Sequence, residues 1–312
     1  MADYIASVDA GNGGTNAILA KPDGGYKAHY EPSVRAAATG ATLGLDKDQE
    51  MQYDYVDWNG HRYVTGDDVV RVTRRNLERH MGGNRYGNEF HQFLVAVALA
   101  KLGVKEGKVD LTLFAPPGLF TTVKQTIIDR FMEEKGKVQI KLKSDKTARS
   151  WTYERVRVMP EGLGAVSCFL FDDQGELQDD SILAGEVVVM DSGAFTLDAL
   201  KMQDGNFNPE SLEHATWENG GVDVHIRQPI LRVLKQKSED FANTTVDDVD
   251  RVIRLGTVTG DYVLRAGGVE VNLKPLLDKH CERYAEWIAN NILDGVFNGL
   301  RGIKSLILVG GG

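Results

Sequence analysis

Apolar residues recur along the chain with two spacings, one typical of strands and one typical of helices. The run YIASVD, residues 4–9, predicts a buried strand, and NAILAKPDGGYKAHY after it predicts a second strand with a hairpin break at Pro22–Gly25. Residues 88–103 have helical spacing and stop at a glycine. VDLTLFAPPG predicts a strand that ends in a Pro-Pro-Gly loop, followed by a helix from about Thr121 to Glu134. Strands and helices that alternate in this way indicate an α/β protein.

The pattern also divides the chain into two halves. KVQIKL and WTYERVRV predict half-buried strands, and PEGLGAVSCFLF predicts a helix that starts at Pro160, because proline suits the first turn of a helix. The acidic segment Asp172–Ser181 has no apolar period and is interpreted as the connection between the halves. We therefore predict domain I at residues 1–171, with an inserted polar subdomain at about 21–84, and domain II at residues 182–312.

Composition and charge restrict the setting. The chain has 312 residues, of which 42% are hydrophobic and 26% charged, which is enough for two globular domains. It contains no apolar run long enough to span a membrane and no signal peptide, so no membrane partner is expected. Two cysteines, Cys168 and Cys281, in apolar or helical contexts favour a reducing cytoplasm. The net charge of −9 argues against broad, direct binding of nucleic acid.

Two glycine turns are the clearest chemical signal. The first apolar strand ends at Asp9 and is followed by the turn GNGGT, and the segment GEVVVMDSGAFTLDALKM repeats the pattern around Asp191. The motif of Asp9–Thr15 is thus echoed at Asp191–Thr196, which indicates an internal duplication. Two such hairpins facing each other form a clamp, in which turn N–H groups bind phosphate oxygens and the two acids reach a metal ion or its waters.

Four segments together resemble the actin-like ATPase superfamily. DAGNGGTN is similar to its first phosphate loop, PEGLGA to the start of its first interdomain helix, DSGAFT to its second phosphate loop and LILVGGG to its nucleoside-binding turn. EPSVRA, APPGLF and the Thr15-Asn16 pair are similar to segments of the ParM/StbA group of bacterial and archaeal actins, which segregate plasmids. The resemblance implies an α/β, two-domain actin-like ATPase fold with duplicated ribonuclease-H-like domains and a nucleotide cleft between them.

The resemblance also implies roles for individual residues. Asp9 and Asp191 would contact Mg²⁺, and Glu161 would orient the water that attacks the terminal phosphate of ATP or GTP. The residues implied in phosphate binding are Gly11, Asn12, Gly13, Gly14, Thr15, Asn16, Ser192, Gly193, Ala194 and Thr196, and those implied in nucleoside binding are Gly310, Gly311 and Gly312.

Each of these residues also has a structural interpretation. Asp9 and Asp191 could also be strand-end acids that accept hydrogen bonds from turn N–H groups, although the glycine turn after each of them favours the functional role. Glu161 suits the first turn of a helix, where the dipole favours an acid. In DSGAFT, Ala194-Phe195 replaces the usual glycine pair, so one backbone approach to phosphate is expected to be lost. The sequence ends on the nucleoside turn, where relatives continue with a further element that packs on domain I, so we expect either that the sequence is truncated there or that this element is missing.

Two functions of different classes follow from the resemblance. In the first, the protein is a nucleotide-dependent filament former that hydrolyses ATP or GTP with Mg²⁺, associates with itself, and works with a DNA-binding adaptor in plasmid or DNA segregation. In the second, it is a phosphotransferase of the sugar- or acetate-kinase type. A kinase needs polar contacts for its acceptor, and the sequence shows no such cluster, which favours the filament. Nucleotide preference and filament architecture are not readable from the sequence.

Overall fold

The computed structural model of the chain describes residues 2–20, 25–38, 53–69, 77–80, 82–172, 175–207 and 216–310. The chain divides into two compact units, Met1–Leu163 and Gly164–Gly312. Both units combine a sheet with helices, so the predicted α/β class is confirmed.

Unit 1 contains a nine-stranded sheet in the order β3-β2-β1-β7-β9-β8-β5-β6-β4. Its central strands β1, β7 and β9 are parallel, and the other pairs are antiparallel. The strands are β1 Tyr4–Ala10, β2 Gly14–Ala20, β3 Tyr26–Pro32, β4 Arg35–Ala37, β5 Tyr55–Trp58, β6 His61–Thr65, β7 Glu106–Ala115, β8 Lys137–Leu142 and β9 Arg149–Pro160, and the helices are α1 Glu89–Leu102 and α2 Phe120–Met132.

The helix predicted at residues 88–103 is confirmed as α1. The side chain of Asn88 caps its start by accepting a hydrogen bond from the N–H of His91 at 2.9 Å, and Gly103 ends it in the left-handed region at φ 110°. The helix is buried on nearly all sides, with Phe90 and Phe93 in the main core. A helix that is apolar all round packs inside a domain, which is how α1 supports the sheet.

The helix predicted to start at Pro160 begins later. Pro160 is the last residue of β9 and pairs in register with Ala115 of β7. Proline is tolerated at a strand end, where its missing N–H breaks no further ladder bond. Gly162 then takes a left-handed conformation at φ 88°, and the helix α3 runs from Leu163 to Leu170. The prediction of a helix start at Pro160 was therefore wrong by three residues.

The segment predicted as an inserted subdomain contributes strands to the same sheet. β3 continues the hairpin by pairing with β2, and β5 pairs with β8. Val56 and Trp58 on β5 are buried in the core that also holds α1. Parts of residues 21–84 lie outside the described residues, and the predicted domain boundaries stay a prediction.

Unit 2 contains a smaller sheet in the order β12-β11-β10-β16, with β13 paired to β11, and a separate hairpin β14-β15. A π-helical turn at Asp223–Arg227 leads directly into α4. The strands are β10 Glu186–Ser192, β11 Thr196–Gln203, β12 Asn206–Phe207, β13 Thr216–Glu218, β14 Val263–Ala266, β15 Val269–Asn272 and β16 Ile303–Val309, and the helices are α4 Gln228–Lys237, α5 Val246–Thr259 and α6 Lys274–Ile288. Among the described residues, none of the helices is both long and apolar enough to pass through a bilayer.

His91 on α1 is a buried neutral base that makes unit 1 sensitive to acid. Its Nδ1 accepts a hydrogen bond from the backbone N–H of Gly87 at 2.9 Å. Burial first, and then the positive charge of Arg85, lower the pKa of His91 from 6.5 to about 3. Below pH 6.5 the unfolded chain takes up a proton at this residue and the folded chain does not. The stability that depends on neutral His91 is therefore present above that pH and is lost as the pH falls.

We expect the His91→Gln variant to lose this acid sensitivity. Between pH 7.5 and pH 5, protonation of the unfolded chain at His91 should lower the free energy of unfolding by about 2 kcal/mol. Urea unfolding at the two pH values measures the difference, and His61→Gln, which removes an exposed histidine, is the matched control. The same loss of stability on acidification in wild type and in His91→Gln would contradict this role.

Candidate phosphate-binding hairpins

Both units carry the same three-strand arrangement. β1 is antiparallel to β2 and parallel to β7, and β10 is antiparallel to β11 and parallel to β16. The registers also agree, since Asp9 lies opposite Asn16 and Asp191 lies opposite Asp198, seven positions on in each hairpin. The duplication predicted from the two glycine turns is therefore confirmed.

The turn of the first hairpin contacts the end of β3 and the residue that follows it. The carbonyl of Gly13 accepts a hydrogen bond from the N–H of Ser33 at 3.2 Å. A Cβ at Gly14 would lie 2.4 Å from the ring of Tyr30, so a side chain there would displace that exposed ring. Thr15 is fully buried, and its hydroxyl forms a hydrogen bond with the Ser33 hydroxyl at 3.0 Å. The Thr15 side chain thus fixes the turn, whereas Asn16 is exposed beside Asp9.

Gly11 and Asn12 form the first part of this turn. Gly11 has little free space, because a Cβ there would lie 3.1 Å from the carbonyl oxygen of Gly14. The Oδ1 atom of Asn12 is buried and accepts no hydrogen bond from the residues that the structure describes. A buried amide oxygen without a donor is costly, which is consistent with a ligand or water at the turn.

Glu161 lies at the same edge of the unit 1 sheet as the first hairpin turn. The parallel strands β1, β7 and β9 end at Ala10, Ala115 and Pro160, so their carboxyl ends share one edge. The N–H of Glu161 donates to the Ala115 carbonyl at 2.8 Å, which fixes the residue directly beyond β9. Strands lie about 4.8 Å apart, so the ends of β1 and β9 are separated by about 10 Å. The end of β7 lies between them, so the first hairpin turn and Glu161 stand on either side of one strand end.

The turn of the second hairpin is locked onto the start of a helix. The N–H of Gly193 donates to the Thr196 carbonyl at 3.0 Å and closes the turn. The carbonyls of Gly193, Ala194 and Phe195 accept hydrogen bonds from the backbone N–H groups of residues 221–223 at 2.8–3.1 Å. A Cβ at Gly221 would lie 2.5 Å from the backbone of Phe195, so only glycine permits this approach. These backbone hydrogen bonds hold the second turn in one conformation, even though it contains a flexible residue, Gly193.

Asp198 is a candidate site residue that the sequence analysis missed. It is 3% exposed, and its carboxylate accepts hydrogen bonds from the hydroxyls of Thr196 at 2.8 Å and Thr216 at 2.6 Å. Burial first, and the neighbouring charge of Asp191, raise the pKa of Asp198 to about 6, against the lowering effect of the two hydroxyls. Burial also raises the pKa of Asp191. The signal was the equal spacing of seven residues from each strand-end acid, at Asn16 and at Asp198.

The end of β16 approaches the second hairpin closely. A Cβ at Gly310 would lie 2.3 Å from the carbonyl oxygen of Ser192, and Gly310 has φ 128°, so glycine is required there. The Tyr284 hydroxyl donates to the Gly220 carbonyl at 2.6 Å, so the Ser192 hydroxyl donates to Tyr284 at 3.1 Å. The other two predicted nucleoside-binding residues, Gly311 and Gly312, lie outside the described residues.

The donor set suits Mg²⁺ better than a transition metal. Among the described residues, no group of three His, Cys, Asp or Glu side chains is placed to hold a metal by itself. Asp191 and Asp198 face each other across one strand pair, and burial raises the pKa of both carboxyl groups. Mg²⁺ binds through one or two carboxylates and fills its remaining positions with water and phosphate oxygens. These residues therefore fit a magnesium–phosphate complex.

Comparisons with known proteins place the chain in a family. The profile described as "Actin like proteins N terminal domain" matches residues 7–164, just over half of the 312 residues. The chain belongs to the actin-like proteins. No curated protein is a significant match to it.

Solved structures share this fold over the whole chain. The archaeal actin homologue Ta0583 in complex with ADP is 20% identical, with a TM-score of 0.69 over 100% of this chain and 87% of its own. A non-polymerisable quadruple mutant of pCBH ParM is 19% identical, with a TM-score of 0.70 over 99% and 88%. Bacillus thuringiensis ParM with ATP is 19% identical, with a TM-score of 0.67 over 100% and 88%. The predicted actin-like ATPase fold and the resemblance to ParM are confirmed.

Proposed function

We propose that this chain is a Mg²⁺-dependent nucleoside triphosphatase that assembles into filaments. The observation that carries the proposal is the pair of hairpins in the same register, each with an acid at the end of its first strand. Similar solved structures contain ADP or ATP, which supports a nucleotide as the ligand. Whether ATP or GTP is preferred is part of the experiment below.

The hairpins would bind the phosphates through their turns. In this proposal the backbone N–H groups of residues 11–14, Ser192 and Ala194 face phosphate oxygens, because the rigid turns present them without further ordering. The N–H of Gly193 stays within the turn, where it donates to the Thr196 carbonyl. Asp9 and Asp191 would hold the metal or its water ligands, and Asp198, opposite Asp191 in its strand pair, would supply a third carboxylate. Bound magnesium would neutralise charge on the phosphates. Residues Gly310–Gly312 would adjoin the nucleoside.

Glu161 would act on the attacking water. Its backbone is anchored to Ala115, and its side chain starts at the sheet edge that carries the first hairpin turn. A carboxylate in this place can accept a hydrogen bond from water and align it with the terminal phosphate. Such a group is what separates a triphosphatase from a protein that only binds nucleotide.

Self-association is the less direct part of the proposal. One similar structure is a ParM that was made non-polymerisable, which supports polymerisation as a property of this fold group. A filament contact that forms only in the triphosphate-bound state would be lost when the nucleotide is hydrolysed. The strength of this coupling would be set by the difference in subunit affinity between the two nucleotide states. A DNA-binding adaptor and a role in plasmid or DNA segregation complete the proposal.

Light scattering tests the assembly. With Mg²⁺ and ATP or GTP we expect a rise above a critical protein concentration, on the order of tens of micromolar or below, and a decay as nucleotide is consumed. ADP and a chelator are the matched controls and should give no rise. A chain that stays small with either triphosphate and transfers phosphate to a small acceptor would contradict the filament and favour the phosphotransferase.

A further inference from the structure

A pocket of about 460 Å³ lies in unit 2, and none of the residues that line it is a predicted phosphate-binding residue. Two of its walls are helix faces, since Arg232 and Gln236 are one turn apart on α4, and His280 and Tyr284 are one turn apart on α6. Its lining also includes His225 and Arg283. Two arginines and two histidines from three chain segments therefore face one space.

The charge of this pocket is uncompensated. Among the residues that the structure describes, no carboxylate lines it, and neither Arg232 nor Arg283 forms an ion pair. This is unusual in a chain of net charge −9. His280 is buried at 8% exposure, and its pKa is lowered by burial and then by Arg283, Lys279 and Arg232. The positive charges are thus close enough to His280 to disfavour protonation of its ring.

The uncharged side chains of the pocket suit a ligand that has apolar or aromatic surface as well as a negative charge. The rings of His225 and Tyr284 stack with their centroids 4.8 Å apart, and Val224, Pro229 and Val233 supply apolar surface. A volume of 460 Å³ is in the range of small-molecule sites and is far larger than one phosphate group. A planar guanidinium binds phosphate oxygens through two parallel hydrogen bonds, and a pair of them recognises an anion of this kind strongly.

We infer that this pocket binds a small phosphate-bearing ligand between α4 and α6, with Arg232 and Arg283 on the phosphate. The site is distinct from the hairpins, because Tyr284 stands between them. The Tyr284 ring faces the pocket, whereas its hydroxyl is already engaged with Gly220 and Ser192.

Calorimetry with inorganic pyrophosphate tests the inference. The titration uses the full chain without nucleotide and with a chelator, so that the carboxylates of the hairpins lack a metal and repel the anion. Wild type should bind pyrophosphate, and the double variant Arg232→Gln/Arg283→Gln should bind at least about tenfold more weakly for each arginine removed. Both arginines are exposed, so the fold should tolerate the change. Lys235→Gln, which removes one positive charge from α4 outside the pocket, should bind as wild type does.

Three results would overturn the inference. They are no pyrophosphate binding by wild type, an unchanged isotherm in the double variant, or an equal loss in Lys235→Gln. Sedimentation without nucleotide adds a separate outcome. If wild type dimerises through this face and the double variant stays monomeric, the pocket accepts an acidic segment of a second copy and the small ligand is wrong.

Discussion

Chains with Asp9→Asn or Asp191→Asn are expected to lose Mg²⁺-dependent nucleotide turnover by on the order of 10²–10³ in kcat. Each change removes a carboxylate at the end of the first strand of a hairpin, where the proposal places the metal and the phosphates. Asparagine keeps the shape of the aspartate side chain and one of its oxygens, so the expected loss of turnover comes from the missing negative charge. Phosphate release at saturating nucleotide measures it.

Stability separates this loss of function from unfolding. Burial raises the pKa of Asp191, and the charges of Asp191 and Asp198 oppose each other, so Asp191→Asn should leave the thermal midpoint unchanged or raise it. Glu106→Gln, at the exposed opposite end of β7, is the matched control and should keep full turnover. Wild-type turnover in both aspartate variants would remove the hairpins from the mechanism.

The second large effect is expected at Glu161. Glu161→Gln should lower the rate of hydrolysis by about 10²–10⁴ while nucleotide binding stays intact, because a neutral amide oxygen is a weaker acceptor for the attacking water than a carboxylate and cannot take its proton. Filaments of this variant should persist longer than those of wild type, since hydrolysis is what ends them in the proposed cycle. Single-turnover phosphate release and the decay of light scattering measure the two effects.

The Glu161→Gln variant can also disprove the role proposed for Glu161. If hydrolysis in Glu161→Gln equals that of wild type, the residue is only an anchor at the end of β9. If nucleotide affinity falls together with the rate, Glu161 contacts the ground state and does not orient the water. Glu106→Gln again serves as the control for loss of an acid from the same sheet.

The parts of the fold with local signals were predictable. The helix at α1 carries its own cap at Asn88 and its own stop at Gly103, so its bounds could be predicted to within a residue. The hairpins were predictable because an acid and a glycine turn follow an apolar strand twice. Conformation in these places is decided by residues a few positions apart, which a sequence pattern records directly.

The rest depends on pairing between distant segments. The spacing around Pro160 suits a helix start, yet pairing with Ala115 of β7 keeps the residue in a strand. The segment with β5 looked like a polar insertion, and its place beside β8 is set by Val56 and Trp58 packing on a core made by other elements. Asp198 was missed because a strand aspartate reads as exposed until its partner strand is known. For Asp198 the sequence offers only the repeated interval of seven residues after each strand-end acid, and for Pro160 and β5 the deciding contacts are with distant segments.

The order of strands in unit 1 has a consequence for how the chain is made. β1 leaves the ribosome well before its parallel neighbour β7, which begins at Glu106, so Tyr4 cannot pair until Val109 has been made. At typical rates of synthesis the inner edge of β1 stays open for on the order of ten seconds. An open strand edge is a template for pairing with another nascent chain. The yield of folded protein should therefore depend on what covers that edge during translation, such as a chaperone, more than on the stability of the finished sheet.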